Sequence, residues 1–93
     1  MTRSSVTIRI PTQLRDCCAG ASKLVLDAAT PREVLEQLGQ RHPELLRSIC
    51  DETGSVRRHI GLFVNSDLVQ GRGLDKELSP GDVVSIFPAV SGG

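Results

Sequence analysis

The sequence predicts a two-layer α+β domain, with a single sheet packed on one main helix. Short runs of alternating apolar and polar residues flank the chain's centre, as half-buried strands require. One segment, residues 30–42, carries both a helix-start signature and a helical apolar stripe. Turn residues punctuate the intervals between these runs. A sheet with one apolar face and a helix with one apolar stripe bury each other, which gives two layers. The 93 residues make one domain, residues 1–93, ending in a flexible tail at about 89–93.

The elements follow in order. Val6, Ile8 and Ile10 alternate with Thr7 and Arg9, a first strand closed by Pro11. Residues 14–22 read as a polar turn that leaves Cys17 and Cys18 exposed. Leu24, Val25 and Leu26 form a second strand, and the pair reads as a hairpin. Thr30 fits as N-cap, Pro31 occupies the first helical position, and Glu33 closes a capping box. Val34, Leu35 and Leu38 supply the stripe, and Pro43 ends the helix near His42. Pro43 can itself open a second short helix with Leu45, Leu46, Ile49 and Cys50 inward. Residues 51–58 form a surface loop. Ile60 to Val64 is a strand, Asn65-Ser66-Asp67 a turn, and Leu68-Val69 a short strand. Ser79-Pro80-Gly81-Asp82 is a type II turn, with glycine where φ must be positive. Val83 to Phe87 is the last strand, stopped by Pro88.

Composition excludes several function classes. Eleven basic residues balance eleven acidic ones, which argues against nucleic acid as a partner. Arg57-Arg58-His59 is the one basic run, and it reads as a solvated loop. No window approaches the ~20 apolar residues of a membrane span, and no signal-peptide core follows Met1, so a cytoplasmic location is expected. Three cysteines make no disulfide framework, and with His42 and His59 they offer no metal-ligand spacing. Neither a Ser/His/Asp nor a Cys/His arrangement stands out, so no side chain is expected to be catalytic.

Strand parity assigns the sheet faces. Ile60, Leu62 and Val64 share one face with Val84 and Ile86. Gly61, Phe63 and Asn65 share the other with Val83, Ser85 and Phe87. Both phenylalanines, the only aromatics present, therefore point away from the helix, unless a bulge reverses the parity. Clustered outward apolar side chains mark a docking patch. Phe63 and Phe87 are its candidates, and it lies beside the root of the tail. Val90, Ser91, Gly92 and Gly93 finish the sequence. Glycines make a slim thread that adopts φ values barred to other residues and enters a narrow cleft. From Ala89 to Gly93 the extended reach is roughly 17 Å, against a radius of gyration of about 12 Å for such a globule.

Several segments together resemble the ubiquitin-like sulfur carriers of the ThiS/MoaD type. They are Phe63-Val64-Asn65-Ser66-Asp67-Leu68-Val69, Leu74, Ser79-Pro80-Gly81-Asp82-Val83-Val84, and Ile86-Phe87-Pro88-Ala89-Val90-Ser91-Gly92-Gly93. The resemblance covers nearly the whole chain. It is most specific at Val64-Asn65 and from Gly81-Asp82 to Gly93. Ile10-Pro11-Thr12, Leu14-Arg15 and the closing Pro88-Ala89-Val90-Ser91-Gly92-Gly93 are most similar to the cysteine-synthesis (CysO-like) type. Ser91 stands where that family often has alanine or threonine.

The resemblance implies a β-grasp fold, a single mixed sheet packed on one main helix. It implies a carrier and not an enzyme. An adenylating, E1-like enzyme uses ATP to turn the Gly93 carboxylate into a glycyl adenylate. A sulfur donor then displaces AMP to leave a thiocarboxylate, with no permanently bound cofactor and no metal. The acceptor it implies is an enzyme such as a pyridoxal-phosphate-dependent cysteine synthase, with a metal-dependent peptidase as a further partner. Val90, Ser91, Gly92 and Gly93 would enter the partner's active site. Phe87 and Leu68 match docking positions of the family, Pro11 joins them, and Phe63 is added on parity. Strand packing is the plainer reading of Leu68. The alternatives share the same terminus: the small subunit of molybdopterin synthase or a carrier for another sulfur-containing metabolite, and, from another class, a ubiquitin-like protein modifier.

Overall fold

The last strand of the chain is the middle strand of its sheet. In the computed structural model, which describes residues 3–88, five strands are ordered β2-β1-β5-β3-β4. They are β1 (Ser4–Arg9), β2 (Lys23–Ala28), β3 (Ile60–Val64), β4 (Asp67–Leu68) and β5 (Val83–Pro88). β5 runs parallel to β1 and antiparallel to β3, and the outer pairs are antiparallel. The mixed sheet expected from the resemblance is therefore present. Two helices, α1 (Pro31–Arg41) and α2 (Pro43–Ile49), accompany it, with 3₁₀ segments at Thr12–Cys18 and Gly71–Asp75.

Local chemistry places the helices. The Glu33 N–H donates to the Thr30 hydroxyl at 3.2 Å, which satisfies one orphan donor of the first turn. The returning bond differs from a standard capping box: the Glu33 carboxylate accepts from the Ala29 N–H at 2.9 Å, one residue before the cap. Arg3 pairs with the same carboxylate at 3.1 Å, so Glu33 ties the chain's beginning to the helix start. Pro43 opens α2 immediately after the α1 cap at His42. A Cβ on Gly39 would come within 2.5 Å of Leu46 Cδ2, so any larger residue there would make the Leu46 side chain move aside.

The core lies between these helices and one face of the sheet. Val6, Ile8, Leu26, Leu62, Val84 and Ile86 meet Val34, Leu38, Leu45 and Ile49 in one buried cluster. The parity assignment for β3 and β5 holds, with Leu62 paired to Ile86 and Val64 to Val84.

Three expectations need correction, and one outward residue differs from its neighbours. The link between β1 and β2 is not a plain polar turn but a 3₁₀ helix, and Cys18 within it is buried. Its thiol donates to the Ala21 carbonyl at 3.5 Å, so the segment folds under the sheet edge around its sulfur. Ile10 lies beyond β1 but is still buried. Pro88 does not stop the last strand but is its final paired residue, opposite Ile60; a proline can close a strand because its carbonyl still accepts. Ser85 faces outward with only 6% exposure. It is a small side chain on the central strand, flanked in register by Arg9 and Phe63.

Candidate functional site: the outer sheet face at the root of the tail

The face of β5 opposite the core carries Val83, Ser85 and Phe87, and its register sets what surrounds them. Gly61 is opposite Phe87, and Phe63 is opposite Ser85 on one side and Leu68 on the other. The Phe63 and Phe87 rings meet edge to face, 5.6 Å between centroids at 78°, a favoured aromatic geometry. Gly61 leaves room for it: a Cβ there would stand 3.0 Å from Phe63 Cε1, and the ring would have to shift by a few tenths of an ångström. The ring lies over the bare glycine backbone and reaches its partner diagonally.

Phe87 and Leu68 are each 54% exposed, and Phe63 is half-buried by its neighbours. Pro11 is half-buried as well. It follows the end of β1, and it lines one groove together with Phe87. The four residues singled out for docking thus share one region of the outer face. Phe63 links Phe87 to Leu68, and Pro11 flanks Phe87 on the far side. Val90, Ser91, Gly92 and Gly93, expected to enter a partner's active site, lie outside the described residues.

The turn after β3 is held in place by the start of β5. Asn65 adopts φ 56°, the left-handed region that asparagine tolerates better than most residues. Its N–H donates to the Val83 carbonyl at 2.7 Å. Its side-chain oxygen accepts from the Val83 N–H at 3.1 Å, and its amide donates to Asp82 Oδ1 at 3.2 Å. The other Asp82 oxygen accepts from the Ser79 N–H at 2.8 Å. Gly81 has φ 86° and the Asp82 N–H donates to the Ser79 carbonyl at 3.1 Å, the type II turn expected at this position. The two segments most specific to the resemblance, Val64-Asn65 and Gly81-Asp82, are therefore bonded to each other. This junction sets β3 and β5 in register and aims β4, and Leu68 with it, at the patch.

The buried cysteine thiols offer little reactivity. Burial pushes the Cys18 thiol up from its ordinary value, and the Cys50 thiol likewise, which keeps both protonated and poor as nucleophiles. No group of three or more metal-ligating side chains comes together among the described residues. No helix among them is long and apolar enough to cross a membrane.

Sequence reasoning missed two features. Gly61 has a signal in hindsight: a glycine two residues before a strand phenylalanine marks a close approach. The second is a group of basic side chains, Arg9, Arg15 and Lys23, around the same groove as Phe87. No run in the sequence reveals it, because its members come from three separate elements.

Comparison with known proteins gives a consistent result. The ThiS family model matches residues 8–93. The sulfur carrier protein CysO of Mycobacterium tuberculosis is 30% identical over 92 residues, covering 96% of this chain and 99% of the relative. Among solved structures, a chain of the Amycolatopsis orientalis BexX/CysO complex superposes with a TM-score of 0.83 at 34% identity, covering 95% of this chain and 99% of that one. The small archaeal modifier protein 1 of Methanosarcina acetivorans superposes with a TM-score of 0.81 at 27% identity over the full length of both chains.

Proposed function

Because the chain belongs to the ThiS family, we propose that it is a sulfur carrier whose cargo is held on the Gly93 carboxyl carbon. The family match runs through residue 93, and β5 delivers the chain to the tail from the sheet's centre, beside an exposed aromatic pair. That pairing of an anchored root with a Gly-Gly end is the observation that carries the reading.

The chemistry belongs to the main chain. A carboxylate is a poor electrophile until one oxygen becomes a leaving group. A Gly93 oxygen attacks the α-phosphorus of ATP, pyrophosphate leaves, and an acyl adenylate forms. A sulfur donor then attacks the carbonyl carbon; the C–O bond to AMP breaks and a C–S bond replaces it. Terminal glycine leaves the carbonyl unhindered to both reagents. The chain acts as a protein substrate passed between enzymes: an E1-like adenylating enzyme, a sulfur donor, and an acceptor such as a pyridoxal-phosphate-dependent cysteine synthase. The likeness to CysO supports cysteine formation as the destination. Phe87, Phe63, Leu68 and Pro11 form the surface that docks the adenylating enzyme while Val90, Ser91, Gly92 and Gly93 occupy its active site.

Intact-mass analysis of the chain, co-expressed with an adenylating enzyme and a sulfur source, tests this. One C-terminal oxygen should be replaced by sulfur, and Gly92→Val should abolish the exchange while leaving the fold intact. Carboxylate alone would refute the reading. The likeness to a small archaeal modifier protein supports a second use of the same adenylate, attack by a lysine amine. Gly-Gly remnants on lysines of other proteins would establish that use.

A further inference from the structure

The outer face of the sheet has two unlike halves. On β5, β3 and β4 it is apolar, with Phe87, Phe63 and Leu68. On β1 and β2 it is mixed, with Val25 60% exposed and Asp27 opposite Ser5, and its cations gather at the end nearest Phe87. Arg9 and Lys23 are direct cross-strand partners, and both are exposed. Arg15, from the 3₁₀ helix between the two strands, lines the same groove. Its Nε donates to the Ile10 carbonyl at 3.3 Å, which fixes the stem of the guanidinium beside them. Among the described residues no Asp or Glu lines that groove, and Phe87 lines it as well.

Two facts make this arrangement informative. The chain has no net charge, so three cations without a carboxylate are a local segregation rather than a consequence of composition. Like charges directly opposite on antiparallel strands also destabilise the pair they sit on. Among the described residues the ion pairs are Arg3–Glu33 and Arg32–Asp75; neither relieves Arg9, Arg15 or Lys23. The fold thus keeps an unfavourable, unneutralised row continuous with its exposed aromatic patch.

We propose that Arg9, Arg15 and Lys23 form the electrostatic half of the docking face, and that they receive a carboxylate-rich surface of the enzyme that handles the tail. The identity of that enzyme rests on the sulfur-carrier reading; the acidic character of the partner surface rests on the charge arrangement alone. In this division of labour the cations orient the approach and raise the association rate over about one Debye length, roughly 8–10 Å at moderate salt. The aromatic pair then supplies the buried contact that slows dissociation. A row of charges on one side of Phe87 also sets the rotation of the globule about its tail, so the tail enters the cleft in one orientation.

Two measurements test the proposal separately from the reading it extends. In the first, the ¹⁵N-labelled protein is titrated with a hexaglutamate peptide. Amide shifts should concentrate at Arg9, Ser22, Lys23 and Ser85 and vanish in the Arg9→Glu/Lys23→Glu variant. Shifts spread equally over Arg41, Arg47, Arg57 and Arg58, or reproduced by inorganic phosphate at the same concentration, would overturn it. In the second, ATP-dependent activation by the adenylating enzyme is followed as pyrophosphate release. Arg9→Glu/Lys23→Glu should lower kcat/KM at least tenfold at low salt, flatten its dependence on sodium chloride, and leave kcat at saturation unchanged. The Arg57→Glu/Arg58→Glu control should keep the wild-type salt slope. Equal loss in both variants, or none in the first, refutes the proposal. Arg9→Gln/Lys23→Gln, which removes charge without reversing it, should give an intermediate value and guards against misfolding of the reversed pair. Absence of any activation of the wild type would count against the sulfur-carrier reading, and the peptide titration would still decide the surface.

Discussion

Ile86 and Phe87 are neighbours on one strand, yet they meet opposite fates. Ile86 is buried between the sheet and the helices, whereas Phe87 stands 54% exposed against a single ring. The pleat sends them to opposite faces. On the inner face, side chains are held by many partners from both layers and contribute chiefly to stability. On the outer face, the same strand displays its larger side chain to solvent, with Phe63 as its support. Burial measures what a residue does for the fold, and across one peptide bond it separates a core side chain from one left free for the docking role proposed above.

The most direct way to break that contrast is to truncate the inner face. Ile86→Ala removes buried methyl groups opposite Leu62 and should cost about 2–5 kcal/mol, read as a lowered denaturant midpoint with an unchanged slope. A loss under about 1 kcal/mol would mean that the inner face is looser than its burial shows. Phe87→Ala should do the reverse. Stability should change by well under ~1 kcal/mol, while affinity for the adenylating enzyme falls at least roughly tenfold. Large destabilisation with full affinity in the folded fraction would place the docking surface elsewhere.

Asn65 sharpens the comparison, because it joins the two strands that carry both faces. Asn65→Ala loses the side-chain bonds to the Val83 N–H and to Asp82 and strains a left-handed backbone; it should cost about 1–2 kcal/mol. Asn65→Gly keeps the backbone freedom and loses only the side chain, so it should recover part of that loss. Equal stability of the two variants would show that the bonds, and not the conformation, hold the turn. Denaturation of both variants by urea gives the comparison.

The smallest expected effect lies away from the sheet, and serves as its baseline. The Thr53 hydroxyl donates to Asp51 Oδ1 at 2.6 Å, with the Thr53 and Ser55 N–H groups at 2.9 and 3.2 Å. These bonds, the hydroxyl first, hold the Asp51 carboxyl below its ordinary range. A depressed carboxyl contributes stability above its unfolded value and loses it as pH falls through the folded one. The wild type should therefore lose slightly more stability on acidification than Asp51→Asn. Superimposable stability–pH curves would mean that the loop bonds add nothing measurable to folding.

Much of this was legible before any coordinates. The Thr30 cap, the Gly81 turn and the strand parity each depend on residues within a few positions of one another. Side-chain period alone sent Phe63 and Phe87 to the outer face. The Cys18 misreading has a different origin: Gly20 and Ser22 look like a surface turn, and only the packing of this segment against α2 shows that the sulfur is enclosed.

What the amino-acid order determined by itself is therefore local: which residues form strands, where α1 begins, and which side of a strand each residue takes. Backbone dihedrals, caps and pleat act over a handful of residues, and the sequence states them directly. Tertiary structure alone decided that β5 lies in the centre, that Asn65 meets Asp82, that Gly61 makes room for a ring, and that Arg9, Arg15 and Lys23 line one groove. Each of these joins segments far apart in the chain. Such contacts depend on which pairing buries the most apolar surface while satisfying every strand's hydrogen bonds, and that is a property of the whole sheet rather than of any stretch of it.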